Sequence, residues 1–135
     1  LEKHVAAGTA DEIYSRHFLE HLTFEQGRAT LRVFRRVLRP HGVLHVIVPD
    51  VLYHARQLLG GLEERSEANP QWTNRQHALG SLWGWQRNGF TELWDVHKAG
   101  YDEGILREAL TAAGFSHIQR LPDRPWNLAV SAVAK

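Results

Sequence analysis

The chain has 135 residues, no cysteine, no methionine, 43% apolar and 23% charged residues, and a formal charge of +1. This suits one globular domain with its own core. It excludes a disordered chain, a disulfide scaffold, a thiolate zinc site, an iron–sulfur cluster and a bilayer-crossing helix. The near-neutral balance argues against a dedicated nucleic-acid binder, and Leu1-Glu2-Lys3-His4 shows no basic-then-apolar signal pattern.

Since the chain starts without methionine, a piece of a longer, cytoplasmic protein is expected. The first element is a strand over Glu12–Phe18, rich in aromatic and β-branched residues. Thr23-Phe24-Glu25-Gln26 then has the form of a capping box, which satisfies orphan amides at a helix start. Phe24, Gly27, Leu31, Phe34 and Leu38 follow at helical spacing, with Val37 widening the stripe. Arg28, Arg32, Arg35, Arg36 and Arg39 fall on the other sides, where they read as a solvated face rather than a phosphate-binding one. Pro40 ends this helix and His41-Gly42 turns the chain.

Val43 to Val48 is a nearly continuous apolar run, the pattern of a strand buried on both faces. The segment 51–100 is a helical excursion or lid. A helix over Val51–Leu59 is interrupted by Gly60-Gly61 and resumes over Leu62–Glu67, and Asn69-Pro70 breaks it. A further helix over Arg75–Arg87 runs into a turn at Asn88-Gly89. Trp72, Trp83, Trp85, Trp94, Phe90, His77 and His97 gather here, as a pocket lining or as a satellite core.

Asp102 caps a helix through Ile105, Leu106, Ala109, Leu110 and Ala113, which Gly114 stops. Phe115–Leu121 and Asn127–Ala134 are two closing strands, expected to be antiparallel across the short Pro122–Pro125 turn. The order strand, helix, strand, excursion, helix, strand, strand predicts a single α/β domain over 1–135. Its sheet is mostly parallel with an antiparallel C-terminal strand, and its helices lie on both faces. The first strand lacks an upstream neighbour, so a homodimer paired through that open edge is expected.

Four segments, in order and well spaced, resemble the C-terminal half of a class I S-adenosylmethionine-dependent methyltransferase. Ala10 to Leu22 resembles the fourth strand and the "LEHL" segment after it. Phe34 to Leu44 resembles the "RVLKPGG-x-L" helix–turn–strand, Ile47-Val48-Pro49-Asp50 the end of the fifth strand, and Ala112-Ala113-Gly114-Phe115 the "AGF" entry to the sixth. Gly84-Trp85-Gln86 and Val96 to Tyr101 are similar to a subgroup of small predicted methyltransferases. His41 stands where the family has its first glycine. The family's glycine-rich cofactor loop and ribose-binding carboxylate are absent, so impaired cofactor binding is expected of this chain alone.

The resemblance implies a partial Rossmann-like sheet, S-adenosylmethionine as cofactor and an unidentified methyl acceptor as partner. It places Ser15, Arg16 and His17 at a strand end beside the cofactor. Methyl transfer needs in-line positioning of a nucleophile, and a base where the acceptor is a poor one. His97 in the excursion is the candidate base, with Tyr53, Gln86 and Tyr101 as acceptor-orienting groups; no metal ligand is assigned.

Two other functions compete. His17-Phe18-Leu19-Glu20-His21 matches H-x-x-E-H, the inverted zinc-peptidase signature. On a helix it would place two imidazoles on one side, with Glu20 as base of a zinc-dependent hydrolase. A non-catalytic interaction domain using the open sheet edge is the third reading.

Overall fold

The computed structural model describes residues 5–86 and 93–135. The elements in chain order are β1 (Ala10–Arg16), α1 (Phe24–Val37), β2 (Leu38–Pro49), α2 (Val51–Leu59), α3 (Asn74–Trp83), α4 (Glu103–Ala112), β3 (Phe115–Arg120) and β4 (Asn127–Ala134). The strands form one sheet in the order β1-β2-β4-β3. β1 pairs with β2 in parallel, and β4 is inserted antiparallel between β2 and β3. Three strands therefore point one way and β4 alone points back. The fold is α/β with the expected direction for its C-terminal strand.

One alternating set of side chains builds the core. Leu44, Val46 and Val48 of β2 pair across the sheet with Ala132, Val130 and Leu128 of β4, and all six are fully buried. Leu31 and Phe34 of α1 and Leu106 and Leu110 of α4 close over them in the same cluster. Each such aliphatic side chain contributes about 1.5–3 kcal/mol by leaving water. The alternate set faces the other way. Glu12, Tyr14 and Arg16 of β1 are exposed there, and Val43, His45, Ser131 and Val133 are half-buried. Glu12 Oε1 and His45 Nε2 lie 2.8 Å apart on that face. The packed helical layer of α1 and α4 thus covers the core face, while α2 and α3 pack on each other beyond the strand ends.

The predicted capping box of α1 is present, with Thr23 and Gln26 exchanging side-chain-to-backbone bonds at 3.0 and 3.2 Å. A second box at Thr73 and Gln76 starts α3. The arginine face of α1 is open to solvent at Arg28, Arg32 and Arg36, as a solvated face requires.

Boundaries moved in three places. β1 runs Ala10–Arg16 instead of 12–18, because His17 takes a left-handed φ of 49° and leaves the strand. α1 passes straight into β2 at Leu38. The Pro40–Gly42 turn is a bulge inside β2, seen as the register jump between Ala10↔Leu38 and Glu12↔Val43, with His41 at φ 65°. Residues 62–67 do not resume a helix. Gly61 at φ 63° turns the chain, Glu64 N–H bonds Gly61 C=O at 3.0 Å, and Arg65 bridges Thr73. α3 stops at Trp83 because Gly84 adopts φ 84°, so the helix predicted to Arg87 is shorter; the Asn88-Gly89 turn and Phe90 lie outside the described residues. Among the described residues, no helix is long and apolar enough to cross a membrane.

Candidate functional site

The parallel pair ends where the excursion begins, and the two enclose a cavity of about 460 Å³. Its floor is the end of β1 with the short 3₁₀ turn Leu19–His21, contributing Arg16, His17, Glu20 and His21. Pro49 of β2 and Trp126 and Asn127 at the start of β4 form one side. His54, Trp72, His77, Trp85 and His97 roof it from the excursion. This is the crevice beyond the carboxyl ends of parallel strands, where open α/β sheets bind ligands.

The roof is held by hydrogen bonds instead of by an aliphatic core. His54, fully buried, sits 2.9 Å from Gln57 Oε1 through its Nδ1. A carbonyl oxygen only accepts, so His54 carries its proton on Nδ1. Gln57 Nε2 then donates to Asn74 Oδ1 at 3.0 Å and to His77 Nδ1 at 3.3 Å. His77 Nδ1 also lies 2.8 Å from Ser66 Oγ. Burial first, and then the neighbouring His54, push His77 down to about 4. Burial also lowers His54, partly offset by its bond to Gln57. His77 is thus neutral near pH 7, as accepting from Gln57 Nε2 requires. The rings of Trp72, Trp126 and His54 surround His77 at 5.9, 5.7 and 4.9 Å between centroids.

Asp50 joins roof to sheet. Its Oδ1 caps α2 by accepting from Leu52 N at 3.0 Å and Tyr53 N at 3.4 Å. Its Oδ2 accepts from Arg120 Nη2 of β3 at 3.0 Å.

The predicted site residues separate into two groups. Arg16, His17 and His97 line the cavity, and Ser15 lies just behind them, buried, with an Oγ that has no hydrogen-bond partner among the described residues. Arg16 reaches Tyr14 Oη and Asp123, each at 3.5 Å. His97 donates from Nδ1 to Ser81 C=O at 2.7 Å, leaving its Nε2 lone pair available, and burial lowers its pKa. Tyr53 is one shell back, its ring against His54 and His77. Gln86 lines an adjoining groove that shares Trp72 and Trp85 with the main cavity. Tyr101 is elsewhere: buried beside α1 and α4, with its ring 5.7 Å from Phe24 and its backbone bridged to Asp50. The structure gives Tyr101 a packing position, away from the cavity.

The inverted zinc-peptidase helix does not form. His17 is in a left-handed turn and residues 19–21 are a single 3₁₀ turn, so His17 and His21 are not stacked on one helical face. His17 Nδ1 instead donates to Glu20 Oε1 at 3.2 Å. What gathers is Glu20, His21 and His97, whose ligand atoms all lie within 4.8 Å of one another. The pentapeptide flagged two of these three. His97 could be joined to them only by the fold.

No family profile and no curated protein matches the chain. Solved structures do, and they share its fold. The S-adenosylmethionine-dependent methyltransferase SibL matches over 96% of this chain and 32% of its own, at 18% identity and a TM-score of 0.59. The 1,6-didemethyltoxoflavin-N1-methyltransferase of Burkholderia thailandensis, solved with 1,6-didemethyltoxoflavin and S-adenosylhomocysteine bound, matches over 96% and 45%, at 18% and 0.54. A Bordetella parapertussis protein described as a possible exported protein matches over 96% and 40%, at 20% and 0.58. The chain has the Rossmann-like α/β fold that these structures share, two of them methyltransferases, and spans less than half the length of each.

Proposed function

We propose that this chain supplies the downstream wall of the active site of an S-adenosylmethionine-dependent methyltransferase. The observation that carries this is the cavity beyond the ends of β1 and β2, within a fold shared with enzymes of that chemistry. Ser15, Arg16 and His17 stand beside the methionine part of the cofactor. The acceptor lies under the excursion, between the aromatic roof and His97. The protein's work is positioning: holding the acceptor's nucleophilic atom in line with the sulfonium methyl, in a site whose roof sheds water. When the acceptor is protonated, His97 Nε2 is the group at the wall that takes the proton. The groove at Gln86 gives a larger acceptor room to extend past Trp72 and Trp85. The glycine loop and ribose carboxylate that the resemblance requires belong to an upstream segment of a longer enzyme.

The test is calorimetric titration with S-adenosylhomocysteine, of this chain and of the same chain joined to its upstream sequence. Saturable binding to either, weakened by His17→Ala, supports the reading. No binding to both overturns it.

A further inference from the structure

We propose that Glu20, His21 and His97 bind one divalent transition-metal cation of the zinc class in the cavity wall.

The unsatisfied atoms are the first argument. Glu20 is 2% exposed, and among the described residues its Oε2 has no hydrogen-bond partner. His21 Nδ1 is likewise buried and has no partner among the described residues. A buried polar atom without a partner is destabilising, and more so when it is charged. Here two stand together beside a third group with a lone pair to give. One cation satisfies all of them.

Geometry agrees. The ligand atoms lie within 4.8 Å of one another. Ligands about 2.0–2.2 Å from a shared cation stand roughly 3.5–4 Å apart, so small side-chain rotations close the site. The imidazoles of His21 and His97 are already edge to face, with centroids 4.8 Å apart. The segments that carry the ligands are tied together, because Lys98 N–H and Ala99 N–H both donate to Glu20 C=O, at 2.7 and 3.2 Å.

An outer shell is in place too. His97 Nδ1–H is held by Ser81 C=O, which fixes the tautomer with Nε2 free to ligate. His17 Nδ1 holds Glu20 Oε1 and leaves Oε2 as the ligating oxygen. Two imidazoles and one carboxylate form a mixed nitrogen–oxygen set suited to zinc and cobalt, whereas magnesium and calcium favour oxygen alone. A purely structural polar cluster would pair Glu20 Oε2 internally, and among the described residues it has no partner.

All three residues line the cavity, so a bound cation keeps an open coordination position toward it. That position takes water or an oxygen or nitrogen of the acceptor. With the cation bound, His97 Nε2 is a ligand and no longer a base, and the cation orients the acceptor. This consequence rests on the proposed methyltransferase site; cation binding itself does not.

The experiment is titration of the chelator-treated chain with zinc chloride by calorimetry, and with cobalt chloride followed by visible absorption. One cation per chain is expected, with cobalt bands of a four- or five-coordinate site that zinc abolishes. Magnesium chloride at the same concentration should leave those bands unchanged. His97→Gln and Glu20→Gln should each weaken zinc by about ten-fold or more, whereas His117→Gln, on the exposed far strand, should not. Circular dichroism checks each variant; should Glu20→Gln fail to fold, His97→Gln decides. No saturable zinc binding, equal affinity in folded His97→Gln, or magnesium competing on equal terms overturns the proposal. S-adenosylhomocysteine titrated in parallel, into this chain and into the chain joined to its upstream sequence, separates the two readings, since cation binding with no S-adenosylhomocysteine bound by either removes only the methyltransferase assignment.

Discussion

The sheet half and the excursion are held together by different physics. Around β2 and β4 the interior is aliphatic, and Leu44, Val46, Val48, Leu128 and Val130 are inaccessible to water. Around α2 and α3 the buried polar side chains are His54, Gln57, Ser66 and His77, joined by directional bonds. The first kind of interior tolerates a change of pH and resents a change of volume. The second tolerates neither an added charge nor a lost partner. The cavity lies on the seam between them, with the strand ends as its floor and a polar, hydrogen-bonded roof.

Four changes test that division. The largest effect is expected in the sheet half. Phe115→Ala empties a fully buried site against the α1–α4 layer and should cost about 3–5 kcal/mol in denaturant unfolding. A loss below 1 kcal/mol would mean that the aliphatic core is not where stability resides.

The pH response belongs to the excursion. His77 titrates near 6.5 when unfolded and about 4 when folded, so the unfolded chain binds its proton first as pH falls. The stability His77 contributes is therefore complete above pH 6.5 and is lost progressively from 6.5 down to about 4. Thermal melts across that window should show the decline, and His77→Gln should flatten it. An identical acid limb in the variant would move the response to other groups.

Asp50→Ala attacks the seam. It removes the α2 cap and the Arg120 ion pair together, and about 1–2 kcal/mol is expected from the cap. Hydrogen exchange should rise in the first turn of α2 before it rises in β2. Equal rises would show that roof and floor open as one unit. The smallest effect is expected at the solvated face of α1, where Arg32→Ala should change stability by no more than about 0.5 kcal/mol.

Gly84 shows how local the roof's constraints are. It sits at φ 84°, and a Cβ there would overlap the carbonyl of Asp95. Gly84→Ala must therefore displace the strand of chain that delivers His97 to the cavity, although position 84 touches no proposed ligand.

Legibility in the sequence followed the same division. The strands and helices of the sheet half were readable because apolar periodicity and capping boxes are local signals. Leu31, Phe34, Leu106 and Leu110 all lie where their spacing put them. The errors came where local preference was overruled. His17 and His41 occupy left-handed conformations that a histidine seldom adopts, and each moved a boundary. In the excursion, Leu62–Glu67 has helical composition, but the Gly61 turn and the Asn74 bond to Gly61 C=O hold it otherwise. Tyr101 looked like an acceptor contact from its neighbours in sequence, yet the packing of α1 against α4 claims it.

By itself, then, the sequence determined the order of elements in the sheet half, the antiparallel pairing of the two closing strands and the core stripe, because each depends on residues close together in the chain. The tertiary structure alone decided that His97 meets Glu20 and His21, that His77 is held neutral, and that Gln86 and Tyr101 lie outside the cavity. Those are meetings between distant segments, created by closing the excursion over the strand ends, and no spacing within either segment encodes them.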